Sequence, residues 1–144
     1  MNEEIEPRIV LHMIKSYIGR QVRPVLEREG MKPSYGPMLR TIERHPGCSL
    51  KDVSEKACVD KAMVTRTVSS LIEEGFAEDR GGGSRFYSLY ITDKGRRALE
   101  AVKAETDKAW AGLTSTLTDE ELECWGRIMS KFWAVMASDR ERCG

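Results

Sequence analysis

The strongest constraint on this fold is a single change of hydrophobic period near residue 75. Before it, three short stretches have apolar residues at helical spacing: one that opens at Pro33 and Ser34, one over residues 50–57 and one over residues 61–74. After it, residues 76–80 and 85–91 alternate as strands do, and the Gly-Gly-Gly-Ser loop between them tolerates a tight turn. The pattern predicts three short helices followed by a β-hairpin.

Capping residues mark the helix boundaries in the same region. Ser49 and Asp52 resemble a capping box, with aspartate in place of the usual glutamate or glutamine. Asp60 is a good N-cap for the helix over residues 61–74, and Thr92 caps a long helix that follows the hairpin. The sequence His45-Pro46-Gly47 predicts a loop that separates the first two short helices. The order of elements is therefore encoded locally.

Long helices are predicted at both ends of the chain. Residues 8–29 carry two adjacent apolar stripes, and this band is wider than a small domain needs on a terminal helix. Pro24 predicts a kink or break within it. The last helix opens with a full capping box, from Thr118 to Glu121, and its aromatic residues are interpreted as interface packing. Burial against a second subunit explains both apolar bands.

The predicted fold is mainly α with a small two-stranded β wing, that is, a winged helix-turn-helix. The 144 residues suit a single chain-long unit, with the winged helix-turn-helix at residues 31–92 and helical dimerisation parts at residues 1–30 and 93–144. The major groove of DNA admits one α-helix, and a winged helix-turn-helix presents one helix clear of its body. The sequence therefore favours a protein that binds double-stranded DNA.

Composition is compatible with this interpretation. The net charge is zero, but residues 30–97 carry twelve basic and nine acidic side chains, a small positive offset. No apolar run approaches the roughly 18–20 residues of a membrane span, and the acidic N-terminus is unlike a signal peptide, so we expect a cytoplasmic protein. The four cysteines have no zinc-binding spacing and are expected to be free thiols. They are Cys48, Cys58, Cys124 and Cys143.

The helix over residues 61–74 supplies most of the candidate DNA contacts. Threonine can hydrogen-bond to a base edge or a phosphate, and arginine can form a bidentate contact with guanine. The candidates are Lys61, Met63, Thr65, Arg66 and Ser69, with Arg85 at the wing. The alternative for the helix is an ordinary solvated face. The alternative for Arg85 is a cross-strand pair with Asp79, and the role of Arg80 is left open.

The sequence resembles the MarR family (multiple antibiotic resistance regulators) from residue 26 to residue 95. The family's recognition helix typically has a valine-threonine-arginine core, here Val64-Thr65-Arg66, and its wing is followed by leucine-threonine-x-x-glycine, here Ile91-Thr92-Asp93-Lys94-Gly95. One departure is clear: Gly83 occupies the position at which the wing of the family commonly has an aspartate. The helix order and the length of the chain also fit the family.

The resemblance implies a homodimer with intertwined N- and C-terminal helices that binds a pseudo-palindromic operator, often as a repressor. It also implies a small aromatic or phenolic effector between the dimerisation helices and the winged part. Candidate pocket residues are His12, Tyr17, Tyr35 and Trp110, each of which can instead be a core or interface residue. The alternative function is a winged-helix module for protein contact. No catalytic constellation, metal spacing or cofactor motif is present in the sequence, so an enzyme is not expected.

Overall fold

The computed structural model of the chain describes residues 5–82 and 86–143, with side chains up to residue 139. The elements follow in the order α1 (Pro7–Glu29), α2 (Tyr35–Arg44), α3 (Leu50–Ala57), α4 (Lys61–Glu73), β1 (Ala77–Asp79), β2 (Leu89–Ile91), α5 (Asp93–Thr114) and α6 (Asp119–Cys143). This mainly helical fold with a two-stranded wing confirms the predicted fold class.

The chain divides into two compact units, residues 1–108 and residues 109–144. The first unit holds the main hydrophobic core, which gathers side chains from α1 to α5 and both strands. Its largest fully buried side chains are Tyr35, Phe76, Met38, Leu39, Ile42, Leu71 and Leu89. Because each short helix contributes one apolar stripe, none of them can bury that stripe without the others.

The predicted caps of α3 and α4 are confirmed. The backbone N–H of Asp52 donates to Ser49 Oγ at 3.1 Å, and Asp52 Oδ2 accepts from the Ser49 N–H at 2.9 Å, which completes the capping box. Because the N–H and hydroxyl of Ser49 both donate to it, the Asp52 carboxyl has a lowered pKa. Asp60 Oδ1 accepts from the N–H of Met63 at 2.9 Å. Each cap contributes about 1 kcal/mol to the stability of its helix.

The first helix continues through Pro24. Of the kink or break that was expected there, the break is absent, because α1 runs without interruption from Pro7 to Glu29. Proline removes one hydrogen bond from the helix ladder, and its ring crowds the carbonyl group of the residue four positions earlier. Val22 and Val25, which flank Pro24, are buried in the core and hold this part of the helix in place.

The strands of the wing are shorter than predicted. β1 pairs antiparallel with β2, with Ala77 opposite Ile91 and Asp79 opposite Leu89, and a bridge joins Leu89 to Cys48 on its other side. Beyond this, Asp79 Oδ1 accepts from the N–H groups of Gly81 and Ser88 at 2.8 and 2.9 Å. The Asp79 carboxylate thus accepts hydrogen bonds from N–H groups that would donate from strand to strand in a longer hairpin.

The second unit consists of the end of α5 and the helix α6. The capping box predicted at its start is confirmed, because the Thr118 N–H donates to Glu121 Oε2 at 2.9 Å and the Glu121 N–H donates to Thr118 Oγ1 at 3.2 Å. Large apolar side chains of α6 are exposed. They are Leu122, Ile128, Phe132, Trp133, Val135 and Met136.

None of the helices in the described part of the chain combines the length and the apolar character that crossing a bilayer requires. Cys48, Cys58 and Cys124 are free thiols, and burial raises the pKa of the Cys48 thiol.

Candidate nucleic-acid interface

The helix α4 lies with one side on the core and the other in solvent. Val64, Thr67, Val68 and Leu71 form its buried side. Four of the residues predicted to contact DNA share the exposed side. They are Lys61, Thr65, Arg66 and Ser69. We refer to these four residues as the reading face. Because α4 begins in solvent at Asp60, the first half of the reading face is not covered by other described parts of the chain.

The cations of the reading face have no internal partner. Neither Lys61 nor Arg66 forms an ion pair or side-chain hydrogen bond with any residue that the structure describes. The Thr65 hydroxyl donates to the Lys61 carbonyl at 2.9 Å, so its oxygen remains able to accept another bond. The face therefore offers an unpaired guanidinium and an unpaired ammonium to a ligand.

Met63 differs from the other predicted contacts. Its side chain is half-buried and packs against the core, whereas the sequence predicts that it lies on the exposed surface of the helix. The reason is its position beside Val64 and Thr67 on the rim of the buried side.

The start of α4 is set by the turn that follows α3. Cys58 takes the left-handed conformation, with φ 57°, and is the one non-glycine residue with positive φ in the described part of the chain. The Ser54 hydroxyl then donates to the Val59 carbonyl at 2.6 Å, which ties the turn back to α3. These two features define the turn between α3 and α4.

The end of α4 is fastened by the residues after β2. The Thr92 hydroxyl donates to the Gly75 carbonyl, and Lys94 Nζ donates to the Glu74 carbonyl, both at 2.6 Å. A Cβ atom on Gly95 would lie 2.0 Å from the carbonyl oxygen of Phe76. The Thr-x-x-Gly sequence thus has a physical role, because it lets the first turn of α5 pack directly onto the chain that leaves α4.

Acidic side chains near the reading face are largely engaged within the protein. Glu74 accepts a hydrogen bond from the Tyr35 hydroxyl at 2.7 Å, Glu78 pairs with Arg80 at 2.6 Å, and Asp79 accepts the two N–H groups of the wing. In the sequence, these three residues, the exposed Glu73 and the zero net charge favour a protein-contact module. With their charges partly compensated, the three residues weigh less against DNA binding.

Arg80, whose role the sequence left open, is occupied inside the wing. Besides its ion pair with Glu78, its guanidinium lies 4.0 Å from the centre of the Tyr90 ring. Arg85 lies outside the described residues, so its contact with DNA stays a prediction.

A groove of about 580 Å³ runs between α1, α2 and α5 in the first unit. Apolar side chains, among them Ile18, Val22, Leu26 and Val102, line part of it. Four basic side chains and one histidine also line it, and none of its lining residues is acidic. They are Lys15, Arg20, Arg23, Arg40 and His12.

Of the four residues predicted to line an effector pocket, the structure brings His12 alone to this groove. Tyr17 is half-buried on α1 and is not among the lining residues. Tyr35 is 1% exposed and belongs to the core, and its hydroxyl is bonded to Glu74. Trp110 lies in the second unit. The basic residues of the groove were missed because their spacing along α1 and α2 also suits an ordinary solvated face.

These elements define a winged helix-turn-helix, the class of protein that presents one helix for DNA. The model of the MarR family matches residues 37–78, which span α2, α3, α4 and the start of β1. Over these residues the chain is similar to the MarR family.

Two curated relatives are transcriptional regulators by name. The chain is 42% identical to the HTH-type transcriptional regulator BilQ of Clostridioides difficile (strain CD3) over 64 residues, which span 43% of each chain. It is 24% identical to the HTH-type transcriptional regulator YwhA of Bacillus subtilis (strain 168) over 134 residues, or 90% of this chain and 96% of the relative. The first of these matches thus covers less than half of its relative's length.

Solved structures share the fold over most of the chain. A crystal structure of MarR has a TM-score of 0.78 at 21% identity and covers 99% of this chain and 98% of its own. The S. aureus MepR–DNA complex has a TM-score of 0.76 at 17% identity, with 94% and 99% coverage. NadR in complex with 4-hydroxyphenylacetate has a TM-score of 0.67 at 16% identity, with 92% and 95% coverage.

Proposed function

We propose that the protein is a sequence-specific transcription regulator that reads DNA with α4. The observation that carries the proposal is the reading face, where Lys61 and Arg66 stand exposed and unpaired among the described residues on a helix whose other side is fixed in the core. A helix held in this way can enter the major groove with its N-terminal half against base edges and phosphates. MepR, which shares the fold, has been crystallised with DNA.

The regulator acts as a homodimer in this proposal. Exposed apolar side chains recur near the start of the chain, at Ile5, Ile9 and Met13, and along α6. Exposed apolar side chains on each of these helices mark an interaction site, and a second copy of the chain presents the same side chains. Two reading helices in a symmetric dimer contact half-sites about 10 base pairs apart. Contact with chromosomal DNA implies a cytoplasmic location.

DNA binding is tested with duplexes that the wild-type protein selects from a random pool. We expect the selected duplexes to share a pseudo-palindrome, because the dimer places the same helix on both half-sites. Affinity for them should fall steeply with salt, since each phosphate neutralised by lysine or arginine adds about −0.9 to the slope of log K against log salt concentration. Fluorescence anisotropy at several salt concentrations and footprinting measure both properties.

A single unrepeated half-site in the footprint would contradict the dimeric mode of reading. If the pool yields no enriched sequence and binding stays weak at low salt, the protein-contact module becomes the better explanation of the fold.

We further propose that the protein responds to a small aromatic anion held in the groove between α1, α2 and α5. The groove combines apolar side chains for a ring with four cations that have no carboxylate partner among the described residues. NadR, which shares the fold, has been crystallised with 4-hydroxyphenylacetate, a compound with one aromatic ring and one carboxylate. Ligand in this groove would weaken DNA binding, so the regulator would act as a repressor that the effector releases.

The effector proposal predicts that aromatic carboxylates weaken the protein–DNA complex. We expect 4-hydroxyphenylacetate, or a carboxylate of similar size from a small panel, to displace selected DNA, and Arg40→Gln to reduce its potency about tenfold because one charge-assisted bond is lost. Displacement is followed by anisotropy, with sodium acetate at equal ionic strength as the control. If no panel member acts, or if Arg40→Gln responds as the wild type does, the groove is not the effector site.

A further inference from the structure

The hydroxyl of Tyr35 connects the start of α2 to the end of α4, which is distant in the sequence. Its oxygen lies 2.7 Å from Glu74 Oε1, across 39 residues of chain. The ring is buried and packs edge-on against Phe76, with ring centres 6.0 Å apart. The first residue of α2 is therefore bonded to the residue that directly follows α4.

The partner of Tyr35 lies on a row that begins on the reading face. Arg66, Ser70 and Glu74 are spaced four residues apart, so they follow one another along one side of the helix. Each residue advances the helix by about 1.5 Å, so the Tyr35 hydroxyl holds it about 12 Å, or roughly two turns, from Arg66. A bond at this point restrains the direction in which Arg66 projects.

The other bonds at the end of α4 act differently. Those from Thr92 and Lys94 go to the backbone carbonyls of Gly75 and Glu74. The bond of Tyr35 goes to the side chain of Glu74 on one flank of the helix, where a restraint opposes rotation about the axis. A rotation of α4 by a few degrees displaces the tip of the Arg66 side chain, because that tip lies far from the helix axis. We therefore expect such a rotation to affect the recognition of a DNA sequence more than it affects the stability of the fold.

We propose that Tyr35 is a positioning residue for DNA recognition, which it serves by fixing the rotation of α4 through its hydrogen bond to Glu74. The inference rests on the proposed function, because it concerns how the same helix reads DNA. A loss of this bond should reduce discrimination between DNA sequences more than it reduces general attraction to DNA, since phosphate contacts tolerate small displacements and base-edge contacts do not.

The test compares four variants by their affinity for a duplex selected by the wild type and for a scrambled duplex. Tyr35→Phe removes only the hydroxyl. Glu74→Met and Glu74→Gln remove the same charge, but Gln keeps an oxygen that accepts the tyrosine proton. Thr41→Val is the control, because it removes a buried hydroxyl that bonds Pro37 within α2 and leaves α4 untouched.

We expect Tyr35→Phe and Glu74→Met to lower the specific affinity about five- to tenfold, the effect of one lost hydrogen bond. Affinity for the scrambled duplex should change by less than about twofold, apart from the charge effect shared by both Glu74 variants. Glu74→Gln and Thr41→Val should keep the wild-type ratio of specific to non-specific affinity. Amide exchange should quicken at residues 70–74 in Tyr35→Phe.

An unchanged affinity ratio in Tyr35→Phe, with or without a loss of stability in urea, would show that Tyr35 is only a core residue. If Tyr35→Phe does not fold, the comparison of Glu74→Met with Glu74→Gln decides alone. If the wild type itself prefers no sequence, the proposed function fails, and the inference fails with it. If Arg66→Ala abolishes the wild-type preference while Tyr35→Phe keeps it, only the inference is wrong.

Discussion

Arg66→Ala is expected to abolish most of the sequence-specific DNA affinity of this protein. The guanidinium is exposed in the middle of the reading face and has no ion pair with a described residue. A bidentate contact of arginine with guanine contributes about 1–3 kcal/mol to discrimination, and a dimer loses two such contacts. The specific affinity should therefore fall at least about 30-fold. Anisotropy with the selected duplex and a scrambled duplex measures the loss.

Two further variants make the Arg66 result interpretable. Arg66→Lys keeps the charge but lacks the planar fork, so it should behave like alanine if Arg66 reads a base and like the wild type if Arg66 holds a phosphate. Arg127→Ala removes one positive charge from α6, outside the winged helix, and should leave the specific affinity within about twofold. Because Arg66 is exposed, its replacement should change stability by less than about 0.5 kcal/mol. Full affinity in Arg66→Ala would refute reading by α4.

Gly95→Ala should produce a large loss of stability. The added Cβ would lie 2.0 Å from the Phe76 carbonyl oxygen and 2.9 Å from Ile91 Cγ1, and the first of these is backbone that cannot rotate away. The first turn of α5 must then move off the end of α4. We expect a loss of about 3 kcal/mol, at the upper end of what overpacking costs. Urea unfolding followed by circular dichroism gives the value.

Gly19→Ala is the matched control for Gly95→Ala. Gly19 lies inside α1 in the same unit, and a Cβ there has no neighbour within 4 Å. Alanine in an open helical position should stabilise the protein by up to about 1 kcal/mol. Equal unfolding midpoints for the two variants would mean that the contact between Gly95 and Phe76 yields without strain.

The local signals in the sequence were sufficient for most helix boundaries. The capping boxes at Ser49 and Thr118 and the N-cap at Asp60 lie where the sequence analysis placed them, since a cap depends on residues three positions apart. The exposed residues of α4 followed in the same way from a period of 3.6 residues. Pro24 was misjudged because the break it favours locally is opposed by buried neighbours that only the folded chain supplies.

Long-range contacts decided the remainder. Tyr35 was a candidate for the effector pocket, and only the packing of α2 against α4 shows that its hydroxyl is bonded to Glu74 and that its ring lies in the core. The basic lining of the groove joins residues of α1 and α2 whose proximity no spacing along the chain reveals.

The sequence by itself thus determined the order of the elements, their caps and the helix that faces solvent, because these depend on neighbours within one or two turns. The tertiary structure alone decided which acidic residues are engaged, why Gly95 has no side chain and which tyrosine is bonded to Glu74 at the end of α4. Those properties arise where segments distant in sequence meet, and the energy of such contacts depends on distances that a linear pattern does not contain.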